Sequence, residues 1–380
     1  GVEETICGYV AAGRVTVSGF GRRRRDKTLI PPSRPRYAMD EADVRELLGG
    51  VEDPDLGDDI VSLGLVNGVD VDDGVATVSL ALGAPYAPTE SAIAADVREV
   101  LTDAGLAVEL TAKRPAAIRD DEVLPGVKNV VAVASGKGGV GKSTVAVNLA
   151  AGLSKLGAKV GLFDTDVYGP NVPRMLDSQD PPTATDDDTI IPPERYGVKL
   201  ISMAFMVGED DPVIWRGPMV HQVLTQLVED VEWGELDYLV LDMPPGTGDT
   251  QLTILQTLPL AGAVIVTTPE EVAVDDARKG IRMFGRHDTN VLGLAENMSS
   301  FVCPDCGGQH DIFGSGGGRE LAEANNLPYL GGVPLDPEVR SGEEPMVLQD
   351  DNPTADAFRV ITEDVANNVG VVNRRRVSNS

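Results

Sequence analysis

The sequence predicts an α/β protein in which a small α+β domain precedes a larger domain with a mainly parallel sheet flanked by helices. Two observations predict this fold class. Short apolar strands alternate with helical patterns through the second part of the chain, as expected when helices cover both faces of a parallel sheet. A glycine-rich turn also links the first of these strands to the first helix. The predicted strands are residues 130–134, 160–163, 236–241, 263–267 and 291–294.

The composition limits the possible partners. The chain has 380 residues, enough for two domains, and a formal net charge of −28. Nucleic-acid contacts need clustered Lys and Arg, so we expect no nucleic-acid partner. No apolar run reaches the roughly 18 residues of a membrane helix, and no signal peptide is recognisable, so we expect no membrane partner. The sequence therefore predicts a cytoplasmic protein with a strongly solvated acidic surface.

Residues 1–38 are predicted to be an unstructured leader. They contain the basic run Arg22–Arg25 and several prolines, without a sustained apolar period. An amphipathic helical pattern begins just after Met39, so we hypothesise that Met39 is the native start. A basic tail that binds an acidic partner is the alternative. Cys7 lies in this leader and is assigned no role.

A small α+β domain is predicted at residues 39–112. Helices are expected at residues 41–48 and 89–104, strands at residues 60–66 and 107–111, and a β-hairpin in residues 69–82, where the sequence Val-Asp-Val-Asp-Asp-Gly is typical of a hairpin turn. A proline-containing linker, residues 113–127, then leads to the larger domain at residues 128–370. Residues 371–380 are expected to form a short tail.

The glycine-rich turn of the larger domain has the sequence of a phosphate-binding loop. In such a loop, successive backbone N–H groups and a helix N-terminus face the bound phosphate. Lys142 can reach the outer phosphates, and the Ser143 hydroxyl can coordinate Mg²⁺. We therefore predict a P-loop NTPase domain with a bound nucleotide and Mg²⁺. Its nucleotide-binding residues are Gly136, Lys137, Gly138, Gly139, Val140, Gly141, Lys142, Ser143 and Thr144.

Three carboxylates follow predicted strands of the larger domain. Asp164 and Asp166 close the second strand and Asp242 closes the third. Ligands of open parallel sheets bind at such strand ends. Asp242 has the position of a Walker-B carboxylate, and we assign it with Ser143 and Asp164 to Mg²⁺. Each aspartate by itself could instead be a helix cap or a turn residue.

Together these motifs resemble the Mrp/ApbC family of iron–sulfur cluster carriers, a deviant-Walker class that also holds MinD, ParA and the nitrogenase iron protein. The resemblance covers roughly residues 127–361 and includes Lys137 early in the loop and the sequence Cys303-Pro-Asp-Cys306. It implies a homodimeric ATPase in which Lys137 acts across the dimer and Lys142 and Asp166 take part in hydrolysis. It also implies that Asn297 helps to recognise adenine.

The small domain resembles the iron–sulfur-assembly domain that often precedes Mrp-type ATPases. This resemblance is carried by Asp53-Pro54-Asp55 and by residues 62–66. In that family the loop before the second helix commonly carries a cysteine, whereas residues 84–89 contain none. The resemblance therefore implies an adaptor or docking role for the small domain, without cluster ligation.

Cys303 and Cys306 form a C-x-x-C pair whose spacing lets both thiolates face one metal. A [4Fe–4S] cluster usually takes four thiolates, and a symmetric dimer supplies the other two. We therefore prefer a cluster held between subunits. Zinc, with His310 as a further ligand, and a redox dithiol are the alternatives.

The sequence as a whole predicts an ATP hydrolase that carries a [4Fe–4S] cluster to apo iron–sulfur proteins. A MinD-like or ParA-like positioning ATPase is the competing class. The C-terminal stretch looks too short and broken for a membrane helix of the MinD kind, and the acidity disfavours DNA binding of the ParA kind. A zinc-binding P-loop ATPase without cluster transfer, and an electron donor with the same bridging cluster, are further alternatives.

Overall fold

A computed structural model describes residues 39–113, 123–167, 169–178, 180–187, 189–206, 217–303, 306, 308–337 and 344–379. The predicted leader with Cys7, and residues 114–122 of the predicted linker, lie outside the described residues. The described chain divides into two compact units: residues 39–81 with 93–113, and residues 82–92 with the rest. The segment 82–92, assigned above to the small domain, therefore groups with the larger unit, where the Glu90 carboxylate is buried against Arg374.

The smaller unit contains a three-stranded sheet in the order β3-β4-β5, with β3 antiparallel and β5 parallel to β4. Asp40 caps its first helix by accepting hydrogen bonds from the backbone N–H groups of the first turn. Residues 60–64 form turns rather than the expected strand, because the Asp59 carboxylate accepts the N–H groups of Val61 and Ser62. The bounds are α1 (Glu41–Leu48), β1 (Glu52–Asp53), β2 (Asp58–Asp59), β3 (Val66–Asp72), β4 (Val75–Leu80), α2 (Pro88–Asp103) and β5 (Ala107–Ala112).

The larger unit is built on a nine-stranded sheet in the order β10-β11-β7-β12-β6-β13-β14-β15, with β16 also paired to β14. All pairings are parallel except those of β10 and β15. The bounds are β6 (Val127–Ser135), β7 (Val160–Asp164), β10 (Glu194–Arg195), β11 (Val198–Ser202), β12 (Leu236–Asp242), β13 (Leu260–Thr267), β14 (Val291–Val302), β15 (Gln309–His310) and β16 (Tyr329–Leu335). A separate pair consists of β8 (Thr183–Ala184) and β9 (Ile190–Ile191).

Helices flank this sheet, and two buried clusters of apolar side chains lie against its strands. Every residue of β7 and β12 is buried, which explains why these strands read as continuous apolar runs rather than as alternating patterns. The mainly parallel α/β fold predicted from the sequence is confirmed. The helices are α3 (Lys142–Lys155), α4 (Val172–Met175), α5 (Gly217–Asp230), α6 (Asp249–Thr257), α7 (Glu271–Arg286), α8 (Gly317–Ala324) and α9 (Pro353–Ser378).

The predicted tail at residues 371–380 is wrong, because α9 continues through Ser378. Asn373 and Arg374 are buried within this stretch, and the Asn373 side chain donates to the Asn129 side chain on β6 at 3.0 Å. Contacts with residues distant in the sequence therefore stabilise this polar segment as a helix. Across the described chain, every helix is too short or too polar to cross a membrane.

Candidate functional site

The phosphate loop connects Ser135, the last residue of β6, to Lys142, the first residue of α3. Gly139 and Gly141 have φ values of 81° and 84°, in the left-handed region that favours glycine. Gly136 lies against the backbone of α7, where an added Cβ would come within 2.1 Å of the Asp276 carbonyl carbon. The sequence of this loop thus matches the backbone that it must adopt.

The loop borders a cleft of about 860 Å³. Most of the predicted nucleotide-binding residues line it, while Val140 is buried beneath the loop. Several further residues line the cleft. Asn148 lies on α3 itself, whereas Asn171, Arg174, Met298 and residues 344–346 come from distant elements, which is why local sequence patterns did not identify them. A cleft of this size fits a nucleotide with its phosphates at the N-terminus of α3.

Lys142, Ser143 and Asp242 meet at the base of this cleft. The Lys142 Nζ atom lies 2.5 Å from Asp242 Oδ1, and the Ser143 hydroxyl donates to Asp242 Oδ2 at 2.6 Å. Burial raises the pKa of Asp242, and the charge of Lys142 opposes that rise. A hydroxyl and a carboxylate are the oxygen donors that Mg²⁺ takes beside nucleotide phosphates, so the donor set fits the predicted ion.

The other two predicted carboxylates differ in exposure to the cleft. Asp166 lines it, with Oδ2 3.8 Å from Lys142 Nζ. Asp164 is fully buried behind it and accepts from the Ser202 hydroxyl at 2.9 Å and the Val172 N–H at 3.3 Å. Burial, and then the nearby charge of Asp242, raises the pKa of Asp164 to about 7. Magnesium binding by Asp164 remains a prediction, since hydrogen bonds already occupy its carboxylate.

Lys137 contacts Glu270, a residue that lies outside the sequence motifs described above. Its Nζ atom lies 3.0 Å from Glu270 Oε2 of the same chain, and both side chains are partly exposed. Glu270 follows the carboxyl end of β13, the same kind of strand-end position that pointed to Asp164 and Asp242. That positional signal could have identified it. Action of Lys137 across a dimer remains a prediction.

Asn297 lies on β14 and is buried against the phosphate loop. Its side-chain amide donates to the carbonyl of Val140 at 2.9 Å. An added Cβ on Gly141 would come within 2.0 Å of Asn297 Nδ2, so the amide packs directly on the loop. The predicted contact with adenine remains a prediction, and the structure adds this contact with the loop.

The cysteine pair lies at the connection of the β14–β15 hairpin. Phe301 pairs with His310 and Val302 with Gln309, and the Cys303 N–H donates to the Gly308 carbonyl at 2.9 Å. Cys303 is half-buried, Cys306 is exposed, and neither forms a disulfide. β14 extends to Val302, well past the predicted strand end at residue 294, so Cys303 directly follows the strand.

His310 does not complete a metal site with these cysteines. An added Cβ on Gly308 would lie 3.3 Å from both Cys306 Sγ and His310 Nε2, so these two atoms approach the same glycine. Nevertheless, the described residues contain no group of three or more His, Cys, Asp or Glu side chains placed to hold a metal ion. Among these residues, one copy of the chain offers the cysteine pair without a third ligand.

The parallel sheet, the phosphate loop at its centre and the Lys142–Ser143–Asp242 arrangement define the class of protein as a P-loop NTPase. A family model for NUBPL iron-transfer P-loop NTPases matches residues 126–366, and one for iron–sulfur cluster assembly proteins matches residues 41–112. This chain therefore belongs to the NUBPL iron-transfer family of P-loop NTPases. The resemblance noted in the sequence is confirmed at the level of the family.

Individual relatives agree with this assignment. The iron–sulfur cluster carrier protein of Deinococcus radiodurans is 45% identical over 340 residues, covering 88% of this chain and 96% of its own. The iron–sulfur cluster transfer protein NUBPL of Dictyostelium discoideum is 45% identical over 256 residues, covering 66% and 79%. A nucleotide-binding protein of Archaeoglobus fulgidus, solved in complex with ADP, is 35% identical with a TM-score of 0.52, covering 64% and 93%.

Proposed function

We propose that this protein hydrolyses ATP and carries a [4Fe–4S] cluster to apo iron–sulfur proteins, with the cluster held between two copies of the chain. The main observation that supports this proposal is the hairpin that contains Cys303 and Cys306. Cys303 directly follows β14 and the exposed Cys306 lies in the connection from β14 to β15, which supports a metal site at this hairpin. Two relatives are named as an iron–sulfur cluster carrier protein and an iron–sulfur cluster transfer protein, which supports the same activity for this chain.

The number of thiols supports a shared cluster. A [4Fe–4S] cluster usually takes four thiolates, whereas the described hairpin of one copy supplies Cys303 and Cys306. A twofold axis repeats the same patch on both subunits and therefore supplies the second pair. A zinc site within one copy lacks support among the described residues, since they bring no third ligand to the pair.

The cleft supports ATP hydrolysis by positioning and charge. Ser143 and Asp242 would hold Mg²⁺, which when bound neutralises charge on the phosphates. Lys142 would exchange its contact with Asp242 for one with the outer phosphates. Asp166 lines the cleft beside Lys142, where it can orient an attacking water molecule.

Anaerobic reconstitution tests the cargo. The full chain and a Cys303→Ala/Cys306→Ala variant are incubated with iron and sulfide, then compared by visible absorption, iron and sulfide content and mass in solution. We expect a dimer with one cluster for the unchanged chain and none for the variant. Equal iron in both proteins, or uptake of zinc alone, contradicts the proposal. Activation of an apo-enzyme then distinguishes cluster transfer from electron donation.

Hydrolysis is tested separately with Lys142→Ala. We expect the ATPase rate to fall to background, because the buried lysine lies at the phosphate loop. Lys155 at the opposite end of the same helix provides the matched control, and Lys155→Ala should retain the rate. An unchanged rate in Lys142→Ala contradicts the site assignment.

A further inference from the structure

We propose that β14 transmits conformational changes between the phosphate loop and the cysteine hairpin. Asn297 is the positioning residue that connects the strand to the loop, and the bulge at residues 298–300 is where the strand changes conformation. This inference rests on the proposed function, because it explains how nucleotide and cargo sites within one chain affect each other. It assigns to Asn297 a role separate from contact with a base.

The first step is the contact of Asn297 with the phosphate loop. The buried side-chain amide donates to the Val140 carbonyl at 2.9 Å, next to Gly141, which precedes the first residue of α3. Breaking this bond would leave a buried donor and a buried acceptor unsatisfied, which is unfavourable. Asn297 is therefore expected to follow the loop when the loop moves.

The second step is the position of the cysteine pair on the same strand. Cys303 follows Val302, the last residue of β14, and the Phe301–His310 and Val302–Gln309 pairs join the strand to the hairpin. The Cys303 N–H also donates to the Gly308 carbonyl at 2.9 Å. A displacement of the end of β14 would consequently change how the hairpin presents its thiols.

The third step is an irregularity between these two points. Along the β14–β16 pairing, Asn297 pairs with Val333 and Phe301 with Leu335, so β14 takes more residues than β16 to cover the same stretch. Met298, the first residue of the bulge, has a φ of 56°, a left-handed conformation that is strained for a residue with a side chain. Bulges of this kind locally disrupt a ladder and redirect the strand.

The fourth step is that the bulge also borders the nucleotide. Met298 lines the cleft, so an occupant can press on the bulge directly while the loop acts through Asn297. Before the bulge, and after a register shift between Leu294 and Ala295 in the pairing with β16, Ala295 and Glu296 pair in regular parallel register with β13 on one side and β16 on the other. This regular part of the strand is held on both edges. Motion is therefore expected to pass into the bulge and towards Cys303.

Thiol alkylation tests the link without any cluster. In a Cys7→Ser background, the rates of iodoacetamide reaction at Cys303 and Cys306 are measured by mass spectrometry with and without saturating Mg²⁺ and ATP or ADP. With the reference chain we expect at least about a fivefold change on nucleotide addition, and with Asn297→Ala a change within about 1.5-fold. Nucleotide affinity is measured for each variant so that every reaction is run at saturation.

Asn368→Ala is the matched control. Asn368 donates its side-chain amide to the carbonyl of Leu292 on β14 at 2.8 Å, so this bond is also from a side-chain amide to a backbone carbonyl and also involves β14, but it does not involve the phosphate loop. It should keep the nucleotide effect even where its thermal stability falls as much as that of Asn297→Ala. Equal loss of the effect in both variants would assign Asn297 a merely structural role and overturn the proposal.

Met298→Gly provides an independent variant should Asn297→Ala fail to fold. Glycine removes the left-handed strain and the side chain in the cleft, so we expect a changed alkylation rate without nucleotide and a smaller nucleotide effect. If neither value changes, the bulge has no part in the link. A reference chain that accepts a cluster but shows nucleotide-independent alkylation overturns the link alone, whereas a chain that accepts no cluster overturns the proposed function alone.

Discussion

Two glycines of the phosphate loop sit in very different surroundings. An added Cβ on Gly136 would come within 2.1 Å of the backbone of Asp276, whereas one on Gly138 would find its nearest neighbour at 4.0 Å. The backbone of α7 cannot move to make room for this Cβ, whereas the end of a flexible side chain could. At this scale, the space around one atom decides which glycine is required.

We expect Gly136→Ala to lower the free energy of unfolding by about 1–3 kcal/mol and to weaken ATP binding, because the loop and α7 must separate. Gly138→Ala should change the free energy of unfolding by less than about 1 kcal/mol. Denaturant unfolding and nucleotide titration measure both effects. Similar losses of stability in the two variants would contradict the steric explanation.

Glu270 holds Lys137 within its own chain in the structure, with the Lys137 Nζ–Glu270 Oε2 distance at 3.0 Å. Both side chains are partly exposed, so this ion pair contributes about 0–1 kcal/mol. If Lys137 acts across a dimer, Glu270→Gln should raise the ATPase rate at low protein concentration by up to about fivefold, because less energy opposes its release.

The dependence of the ATPase rate on protein concentration measures this effect. Asp275→Asn is the control. Asp275 on α7 forms an ion pair at 3.9 Å with Arg278 of the same helix, so this variant also removes one acidic charge but leaves the Lys137–Glu270 pair in place. A lower rate in Glu270→Gln at every concentration would indicate that Glu270 supports Lys137 rather than restraining it.

At the scale of the element, α9 shows how burial distinguishes neighbouring identical residues. Arg374 is fully buried with Nη1 3.2 Å from Glu90 Oε1, whereas the adjacent Arg375 is exposed. At pH 8, Arg374→Met should lower the free energy of unfolding by about 3–5 kcal/mol, because it leaves the Glu90 charge buried without its partner. Arg375→Met should change it by less than about 0.5 kcal/mol. Equal effects in denaturant unfolding would contradict this difference.

The same pair predicts a pH dependence. Burial raises the pKa of Glu90 to about 7, although Arg374 and the Ala84 N–H favour the charged form. The folded chain thus holds a proton that the unfolded chain releases near pH 4.5. The contribution of protonated Glu90 to the free energy of unfolding is therefore fully present below about pH 4.5 and is lost as the pH rises through about 7.

Glu90→Gln isolates this contribution. Relative to that variant, the unchanged chain should lose roughly 3 kcal/mol of unfolding free energy between about pH 4.5 and 8. Urea unfolding across this pH range measures the difference between the two proteins. A difference that stays constant, or that grows in favour of Glu90 with rising pH, would show that the buried carboxylate remains ionised throughout.

At the scale of the whole molecule, the net charge of −28 sets the response to salt. Like charges on one compact chain repel, and salt of about 1 M shortens the screening distance to about 3 Å. Raising KCl from about 0.1 to 1 M should therefore raise the Tm, by roughly 1–2 °C for each kcal/mol gained. Calorimetry with glycerol at matched osmolality is the control. A Tm that falls with KCl would mean that attractive ion pairs outweigh the repulsion.

Much of the larger fold could be predicted from local patterns. The buried strands β7 and β12 read as apolar runs, and the loop that ends at Lys142 has a sequence tied to one backbone shape. Residues 60–64 and 371–378 were assigned wrongly because distant or side-chain contacts decide them. The Asp59 carboxylate accepts the hydrogen bonds that stabilise the turn after it. The burial of Arg374 stabilises the polar C-terminal part of α9 as helix.

The sequence by itself determined the parallel α/β class, the phosphate loop, the carboxylates at or just after two strand ends (Asp164, Asp166 and Asp242), and the C-x-x-C spacing of Cys303 and Cys306. Each of these depends on residues close together in the chain. Only the tertiary structure decided that Asn297 contacts the loop, that Glu270 contacts Lys137 and that Glu90 contacts Arg374. These partners come from separate elements, and the energy of a buried polar contact depends on which groups the packed sheet and helices bring within hydrogen-bond distance.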